Sequence, residues 1–343
     1  MKALLLLPLC LLLCGCEGLP RPREMGDMAL LRTLGVDGGE GAFALTASTG
    51  PRAKGTQGEE QPGLVLSAGG VSLTAARQEL EEQGESRVFS GYVDQLILGE
   101  ELSGQGGERV LAHLARDREL GLGAWLWVVR GEASAAVNTG GDQGVERRLA
   151  ALADRAGEDL PLAPRRAGEV YADLMEWGTA YAPLLDLREE TLYPAGYAVW
   201  KGEALAGLLE GENARGLELL VGRGEGQLLE TVLEGQTLVL EVTNSTLTCR
   251  RTEDGLGVTC RVEARLAEYE RSPAPEELDR LKSWLEETCA SRIMGAVEQL
   301  RGWEADCVGL SARAALVDPG AWLGGSAPGL DRVNVEVKGE VRP

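Results

Sequence analysis

The sequence has one histidine and two phenylalanines among its 343 residues, and it has far fewer basic than acidic residues. A metal site that needs two histidines cannot be built from one chain, and any histidine-dependent acid–base chemistry has to use His113. The 34 Lys and Arg residues against 54 Asp and Glu give a net charge of −20. This balance argues against nucleic-acid binding, which depends on basic side chains that neutralise phosphates.

Motifs for cofactors and for nucleophilic catalysis are also lacking. The Gly-rich segment Gly222–Gly226 does not have the Lys-Ser/Thr pair of a phosphate-binding loop, and we interpret it as a plain turn. Acidic runs such as Glu79–Glu82 could supply paired carboxylates, but a solvated helix face explains them more simply. We therefore expect no cofactor, no metal ion and no enzymatic activity.

The composition is that of a folded chain, with 44% hydrophobic and 26% charged residues. The length is sufficient for two or three domains. Both halves of the sequence mix helical and strand patterns. The predicted fold class is therefore α+β, with two or three mixed α/β domains.

The amino terminus carries the most specific local signal. Residues 1–15 consist of one lysine and a short apolar run, which is typical of an export signal and too short to span a bilayer. The segment ends in Leu13-Cys14-Gly15-Cys16, which resembles a bacterial lipobox with Cys16 as the acylated residue. We expect a lipoprotein signal peptide at 1–15, an acyl (palmitate-type) anchor on Cys16 and a tether at 16–23. The alternative is a secreted protein in which the early cysteines are incidental.

The rest of the chain is predicted to divide near a linker at residues 182–194. An N-terminal module is expected at 24–185, with two subdomains as an option, and a C-terminal domain at 190–343. The apolar run Ala124–Val129 predicts a strand covered on both faces. In the C-terminal domain we expect a largely antiparallel sheet packed on a long helix that begins at Pro275.

Four cysteines follow the amino-terminal region, an even number that favours disulfides in an exported protein. A hairpin turn at Asp254-Gly255 would place the first two directly opposite each other and leave the last two to pair. Buried free thiols are the alternative, and a zinc site has no supporting CxxC motif. These disulfide candidates are Cys249, Cys260, Cys289 and Cys307.

Tryptophan is frequent relative to phenylalanine, with seven residues against two. Core packing explains most of these side chains. Because tryptophan is enriched at binding hot spots, we choose Trp200 and Trp322 as interface candidates.

Several short segments, in this order and spacing, resemble the Ger(x)C family, the lipoprotein C subunits of spore nutrient-germinant receptors. No segment is specific alone. The segments similar to family motifs are Arg23–Ala29 (REMGDMA), Gly35–Asp37 (GVD), Gln95–Glu101 (QLILGEE), Arg116–Glu119 (RDRE), Trp127–Ala133 (WVVRGEA), Gly196–Lys201 (GYAVWK), Gly207–Leu209 (GLL), Glu212–Gly216 (ENARG) and Asp306–Leu310 (DCVGL).

The resemblance implies a lipid-anchored body on the outer face of the inner spore membrane. Its implied partners are an A subunit with a large soluble part and a membrane-embedded B subunit, in a complex that senses a small-molecule germinant. The predicted function is that of a non-enzymatic receptor subunit in spore germination. An exported solute-binding lipoprotein and a lipoprotein hydrolase are the alternatives.

Overall fold

A nine-stranded mixed sheet organises the chain in the computed structural model, and a four-stranded sheet follows it. The structure describes residues 28–39, 41–54, 59–84, 87–117, 119–253, 255–317 and 330–342. Its α-helices are α1 (Leu73–Gln83), α2 (Glu100–Leu114), α3 (Ala133–Asn138), α4 (Glu146–Arg155), α5 (Ala167–Trp177), α6 (Gly211–Leu220), α7 (Pro275–Gly302) and α8 (Leu310–Val317).

The strands are numbered in chain order. They are β1 (Met28–Leu30), β2 (Thr33–Gly39), β3 (Ala42–Ser48), β4 (Arg52–Lys54), β5 (Glu59–Gln61), β6 (Val65–Gly70), β7 (Arg87–Phe89), β8 (Gln95–Gly99), β9 (Trp125–Val129), β10 (Arg165–Arg166), β11 (Thr179–Arg188), β12 (Thr191–Lys201), β13 (Ala204–Glu210), β14 (Leu228–Leu233), β15 (Gln236–Thr252), β16 (Gly255–Glu268) and β17 (Val333–Arg342).

The large sheet has the strand order β13-β12-β11-β9-β8-β2-β3-β6, and β10 pairs with β9. Its centre is parallel, because β2, β8, β9 and β11 run in the same direction. Antiparallel hairpins extend it on both sides. The carboxyl ends of four neighbouring strands therefore lie along one edge.

Strand β9 confirms the prediction of a strand covered on both faces. Leu126 and Val128 pack in one hydrophobic core with helices α2 and α5, whereas Trp127 points to the other core. The indole of Trp127 is fully buried and donates a hydrogen bond of 2.8 Å to Oε1 of Gln95. The sheet thus separates two cores, and its apolar middle strand contributes to both.

The predicted linker at residues 182–194 is wrong. These residues belong to β11 and β12, which pair through a bulge between Leu184 and Leu185 and lie within the large sheet. Two prolines of this segment, Pro183 and Pro194, are accommodated inside the hairpin. The division into modules at 24–185 and 190–343 stays a prediction, and the large sheet crosses that division.

The second sheet has the order β14-β15-β16-β17 and packs against the long helix α7. Two of its three pairings are antiparallel and the last, between β16 and β17, is parallel. The carboxylate of Glu286 on α7 accepts a hydrogen bond of 2.9 Å from the backbone N–H of Gly339 on β17. The predicted α+β fold, with a largely antiparallel sheet on a long helix, is confirmed.

Candidate functional site: an acidic crevice at the strand ends

A crevice of about 630 Å³ lies at the carboxyl ends of β2, β8 and β9. Parallel strands in an open sheet present their carboxyl ends at one edge, and ligand sites in such sheets commonly lie there. The crevice is lined by residues 37–39 and 44, by 100–102 at the start of α2, and by 131–132 before α3. Three separate strand ends therefore form this one site.

Asp37 lies at the base of the crevice and fixes its shape. Its two carboxylate oxygens accept hydrogen bonds from the backbone N–H groups of Ala133 and Ser134, at 2.7 and 2.8 Å. These bonds satisfy donors at the start of α3. Burial raises the pKa of Asp37, and the two backbone hydrogen bonds oppose that shift. A Cβ atom on Gly99 would lie 2.2 Å from Oδ1 of Asp37, so the close approach of β8 requires glycine here.

Three more carboxylates line the crevice. Glu100 accepts a hydrogen bond of 3.4 Å from the N–H of Gly131, and Glu132 accepts one of 3.1 Å from the hydroxyl of Ser134. Glu101 accepts a hydrogen bond from Gln105 on the next turn of α2. None of these side chains, nor Asp37, forms an ion pair with any residue that the structure describes.

A basic side chain near the crevice is already paired with other carboxylates. Arg130, at the end of β9, forms ion pairs of 2.8 Å with Asp186 and 2.6 Å with Glu210. These contacts, with the hydrogen bond to Asp186 foremost, raise the pKa of Arg130. Glu100 also lies within electrostatic reach of Arg130, whereas Glu101 and Glu132 have no ion-pair partner among the described residues.

The geometry of these carboxylates limits the chemistry of the crevice. Within the described ranges, no group of three or more His, Cys, Asp or Glu side chains converges closely enough to hold a metal ion. An open crevice with unpaired carboxylates suits a cationic group, such as a lysine or arginine side chain of another protein.

A second polar cluster is buried where the two sheets meet. Glu218 on α6 accepts hydrogen bonds from the hydroxyl of Tyr197, at 3.1 Å, and from Gln227, at 2.9 Å, and it pairs with Arg215 at 3.1 Å. Burial raises the pKa of Glu218 to about 7, although Arg215 and the hydrogen bonds oppose the shift. Since the Tyr197 hydroxyl also accepts from the N–H of Ala163, this cluster connects the two parts of the chain.

Comparison with known protein families identifies the chain. Residues 21–187 match the family model described as the spore germination protein N-terminal domain. Residues 195–341 match the one described as spore germination B3/GerAC like, C-terminal. The chain belongs to the Ger(x)C family of spore germination proteins. This Ger(x)C protein is thus of the germinant-receptor C-subunit type.

The comparison with solved structures agrees on the fold. A crystal structure of the GerBC protein superposes with a TM-score of 0.60, at 16% sequence identity, over 90% of this chain and 97% of the GerBC chain. A search of curated proteins finds no significant match.

Three of the segments that carry the Ger(x)C resemblance meet at the crevice. Asp37 ends the segment Gly35–Asp37, Glu100 and Glu101 end Gln95–Glu101, and Gly131 and Glu132 lie in Trp127–Ala133. The first segment lies inside β2, and each of the other two runs from a strand into the residues after its carboxyl end. The sequence carries a local signal for each strand end, because a glycine and an acidic residue stand at the end of each of the three apolar runs. Only the parallel order of the strands brings these ends together.

Two of the predicted site residues, Cys16 and Trp322, lie outside the described residues. The choice of Trp200 as an interface residue is wrong. It is 1% exposed, packs in the core beneath α2 and donates a hydrogen bond of 3.0 Å from its indole nitrogen to the carbonyl oxygen of Ser103. The neighbouring Lys201 points to the opposite side of β12 and is exposed.

The predicted disulfides are absent from the structure, in which all four cysteines are buried free thiols. The hairpin register places Cys249 opposite Val258 and Cys260 opposite Leu247, because the turn closes between Thr252 and Gly255. The predicted register was wrong by two residues, which leaves both cysteines on the same buried face but diagonal to each other. Burial raises the pKa of Cys260 to about 12 and that of Cys289 to about 11.

No helix among the described residues is long and apolar enough to cross a membrane.

Proposed function

We propose that this Ger(x)C protein is a lipid-anchored, non-enzymatic subunit of a spore germinant receptor, and that it acts through contacts with the A and B subunits. The observation that carries this proposal is the match of both family models, which together span residues 21–341 with a gap of seven residues. The proposed location is the outer face of the inner spore membrane.

The anchor is supported by the sequence of the leader. The segment Leu13-Cys14-Gly15-Cys16 has a small residue directly before Cys16, whereas Leu13 precedes Cys14. Two or more acyl chains give stable membrane attachment, since each buried CH₂ group contributes about 0.8 kcal/mol. The full sequence has a net charge of −20, and an anionic lipid surface repels such a chain, so attachment by charge alone is disfavoured.

A contact function is supported by what the family-motif residues do. Asp37 has both oxygens occupied by backbone N–H groups, and Gly99 is required for the packing of β8 against it. Asp37 and Gly99 therefore shape the crevice, and the carboxylate oxygens of Asp37 are already bonded to the backbone. The exposed, unpaired carboxylates of Glu101 and Glu132 remain for contact with a basic segment of a partner.

The anchor can be tested with two matched cysteine variants. Cys16→Ala is expected to move the chain from the membrane fraction of spores to the soluble fraction and to impair germination by nutrients. Cys14→Ala is the control, because this cysteine lies in the same leader but is not the predicted acceptor, and it is expected to change neither. Membrane retention and normal germination of Cys16→Ala would contradict the proposal.

A further inference from the structure

A polar pocket of about 410 Å³ lies between the part of the chain matched by the N-terminal family model and the part matched by the C-terminal one. We call it the seam pocket. One wall comes from residues 163–181 and includes helix α5; the other comes from residues 221–223 and 306–313, the latter at the start of α8. Its volume falls within the range of about 300–1,000 Å³ that is usual for small-molecule sites. The proposed function does not use it.

Three arginines line the seam pocket, and one of them is fully engaged by its neighbours. Arg165 forms an ion pair of 2.7 Å with Asp173 and a longer one of 3.6 Å with Glu169. Its guanidinium also lies over the ring of Tyr181, at 4.9 Å from the ring centre. Arg165 is therefore held in place and already neutralised.

The other two arginines have no carboxylate partner among the described residues. Arg313 donates a single hydrogen bond of 3.3 Å from its side chain, to the backbone carbonyl of Leu220. The side chain of Arg223 makes no hydrogen bond and no ion pair within the described part of the chain. Two guanidinium groups thus line the same pocket with most of their donors unused.

The carboxylates of the seam pocket are, in contrast, all occupied. Asp306 accepts hydrogen bonds of 2.9 and 2.8 Å from the N–H groups of Leu310 and Ser311 at the start of α8. Asp173 pairs with Arg165. Glu169 accepts a hydrogen bond of 2.8 Å from the N–H of Arg166 at the start of α5. These acidic groups are committed to the fold, which leaves the two arginines to an outside anion.

We propose that the seam pocket binds a small carboxylic acid through the guanidinium groups of Arg223 and Arg313. The planar guanidinium matches a carboxylate with two parallel hydrogen bonds, which makes arginine the residue best suited to this recognition. The half-exposed indole of Trp177 gives the pocket an apolar surface for the carbon part of the ligand.

The position of the pocket gives such binding a consequence for the whole molecule. Arg223 follows α6, whose residue Glu218 is bonded to Tyr197 of the large sheet, and Arg313 belongs to α8. A carboxylate held by both arginines would add a connection between the turn after α6 and helix α8. Ligand binding is therefore expected to stabilise the chain against unfolding.

The proposal is tested by calorimetric titration of the full chain, purified in detergent, with succinate and acetate, and with succinamide as the neutral analogue. Binding of a carboxylate, and none of succinamide, is expected. Arg223→Gln is the principal variant, because Arg223 is exposed, lies beside Gly157 and forms no side-chain hydrogen bond or ion pair within the described residues, so its loss is expected to change the stability little. Since hydrogen bonds to charged groups are worth more than neutral ones, this variant is expected to bind about tenfold more weakly or worse.

Two further measurements make the result decisive. Arg250→Gln removes an exposed arginine on β15 that does not line the pocket, and it is expected to leave the affinity unchanged. Inorganic phosphate is expected to bind less tightly than the carboxylate. The proposal is overturned if neither acid binds, if Arg223→Gln binds like the original chain, or if phosphate binds equally well. None of these outcomes depends on the lipid anchor or on receptor assembly.

Discussion

The hydroxyl of Tyr197 on β12 donates a hydrogen bond of 3.1 Å to Oε1 of Glu218 on α6, and both side chains are buried. This bond joins the large sheet to the helix that leads into the second sheet. Arg215 and Gln227 complete the surroundings of the carboxyl group. A carboxyl group in this position makes the connection between the two parts sensitive to pH.

Stability is predicted to fall as the pH rises from about 4.5 to about 7. Glu218 has a folded-state pKa of about 7 against its usual value of 4.5, so the folded chain binds this proton more tightly than the unfolded chain does. Between these pH values the folded state still binds the proton of Glu218, whereas the unfolded state has lost it. The free energy of unfolding therefore falls as the pH rises. Glu218→Gln is expected to remove this component.

The measurement is the unfolding temperature of the original chain and of Glu218→Gln across this pH range. Comparing the two slopes isolates Glu218 from other titrating groups. Glu79→Gln, at an exposed position on α1, serves as a control for the loss of one carboxyl group. Equal slopes for the original chain and Glu218→Gln would show that Glu218 is not the group responsible.

The crevice depends on the absence of a side chain at position 99. Gly99→Ala places a Cβ atom 2.2 Å from Oδ1 of Asp37, so the carboxylate must move and weaken its bonds to α3. A loss of about 1–3 kcal/mol in the free energy of unfolding is expected. Gly104→Ala is the matched control, because a Cβ there meets nothing within 4 Å inside α2, and it is expected to stabilise by about 0.5–1 kcal/mol. Denaturant unfolding of both variants checks the prediction, and equal effects would refute it.

Two tryptophans, Trp200 on β12 and Trp177 at the end of α5, should differ in the effect of truncation on stability. Trp200 is 1% exposed and hydrogen-bonded in the core, so Trp200→Ala is expected to cost about 3–5 kcal/mol of stability. Trp177 is 47% exposed, and Trp177→Ala is expected to cost less than about 1 kcal/mol. Chemical denaturation measures both values. A small effect for Trp200→Ala would return it to the interface candidates.

Removing the negative charge of the acidic crevice is predicted to weaken partner binding. The triple variant Glu100→Gln, Glu101→Gln and Glu132→Gln takes away three carboxylates without ion pairs, so its stability should change little. Its association with the receptor is expected to fall, and the salt dependence of that association to weaken. The measurement is the amount of A and B subunits retained on the immobilised chain at low and at high salt.

A control for total charge uses three exposed glutamates on other helices. Glu79→Gln, Glu82→Gln and Glu298→Gln change the net charge by the same amount away from the crevice. If this variant loses as much binding as the crevice variant, overall charge rather than the crevice is responsible.

Much of the fold could be predicted from local patterns. The apolar run of β9 and the start of α7 at Pro275 both depend on neighbouring residues. Each element has a chemical signal within a few residues, and the structure confirms these predictions.

The errors concern features that depend on distant residues. The predicted linker at residues 182–194 is instead held in the sheet by the pairing of β11 with β9 and β12. The register at Cys249 depends on which two residues form the turn, and the burial of Trp200 depends on the helix packed over it.

The seam pocket and the crevice could not be predicted from the sequence. The seam pocket brings together arginines that are distant in the sequence, since Arg165 and Arg313 are 148 positions apart and Arg223 lies between them. Only tertiary packing places these three side chains in one pocket. Arg223 lies in Gly222–Gly226, which is a turn as predicted, yet its side chain lines the seam pocket. The crevice likewise requires the parallel order of β2, β8 and β9.

The most direct test of the account is co-purification of the chain from detergent-solubilised spore membranes, followed by mass spectrometry. We expect the A and B subunits of a germinant receptor to be recovered with it, together with a mature amino terminus that begins at an acylated Cys16. Recovery of the chain without either subunit, and with an unmodified amino terminus, would contradict the account.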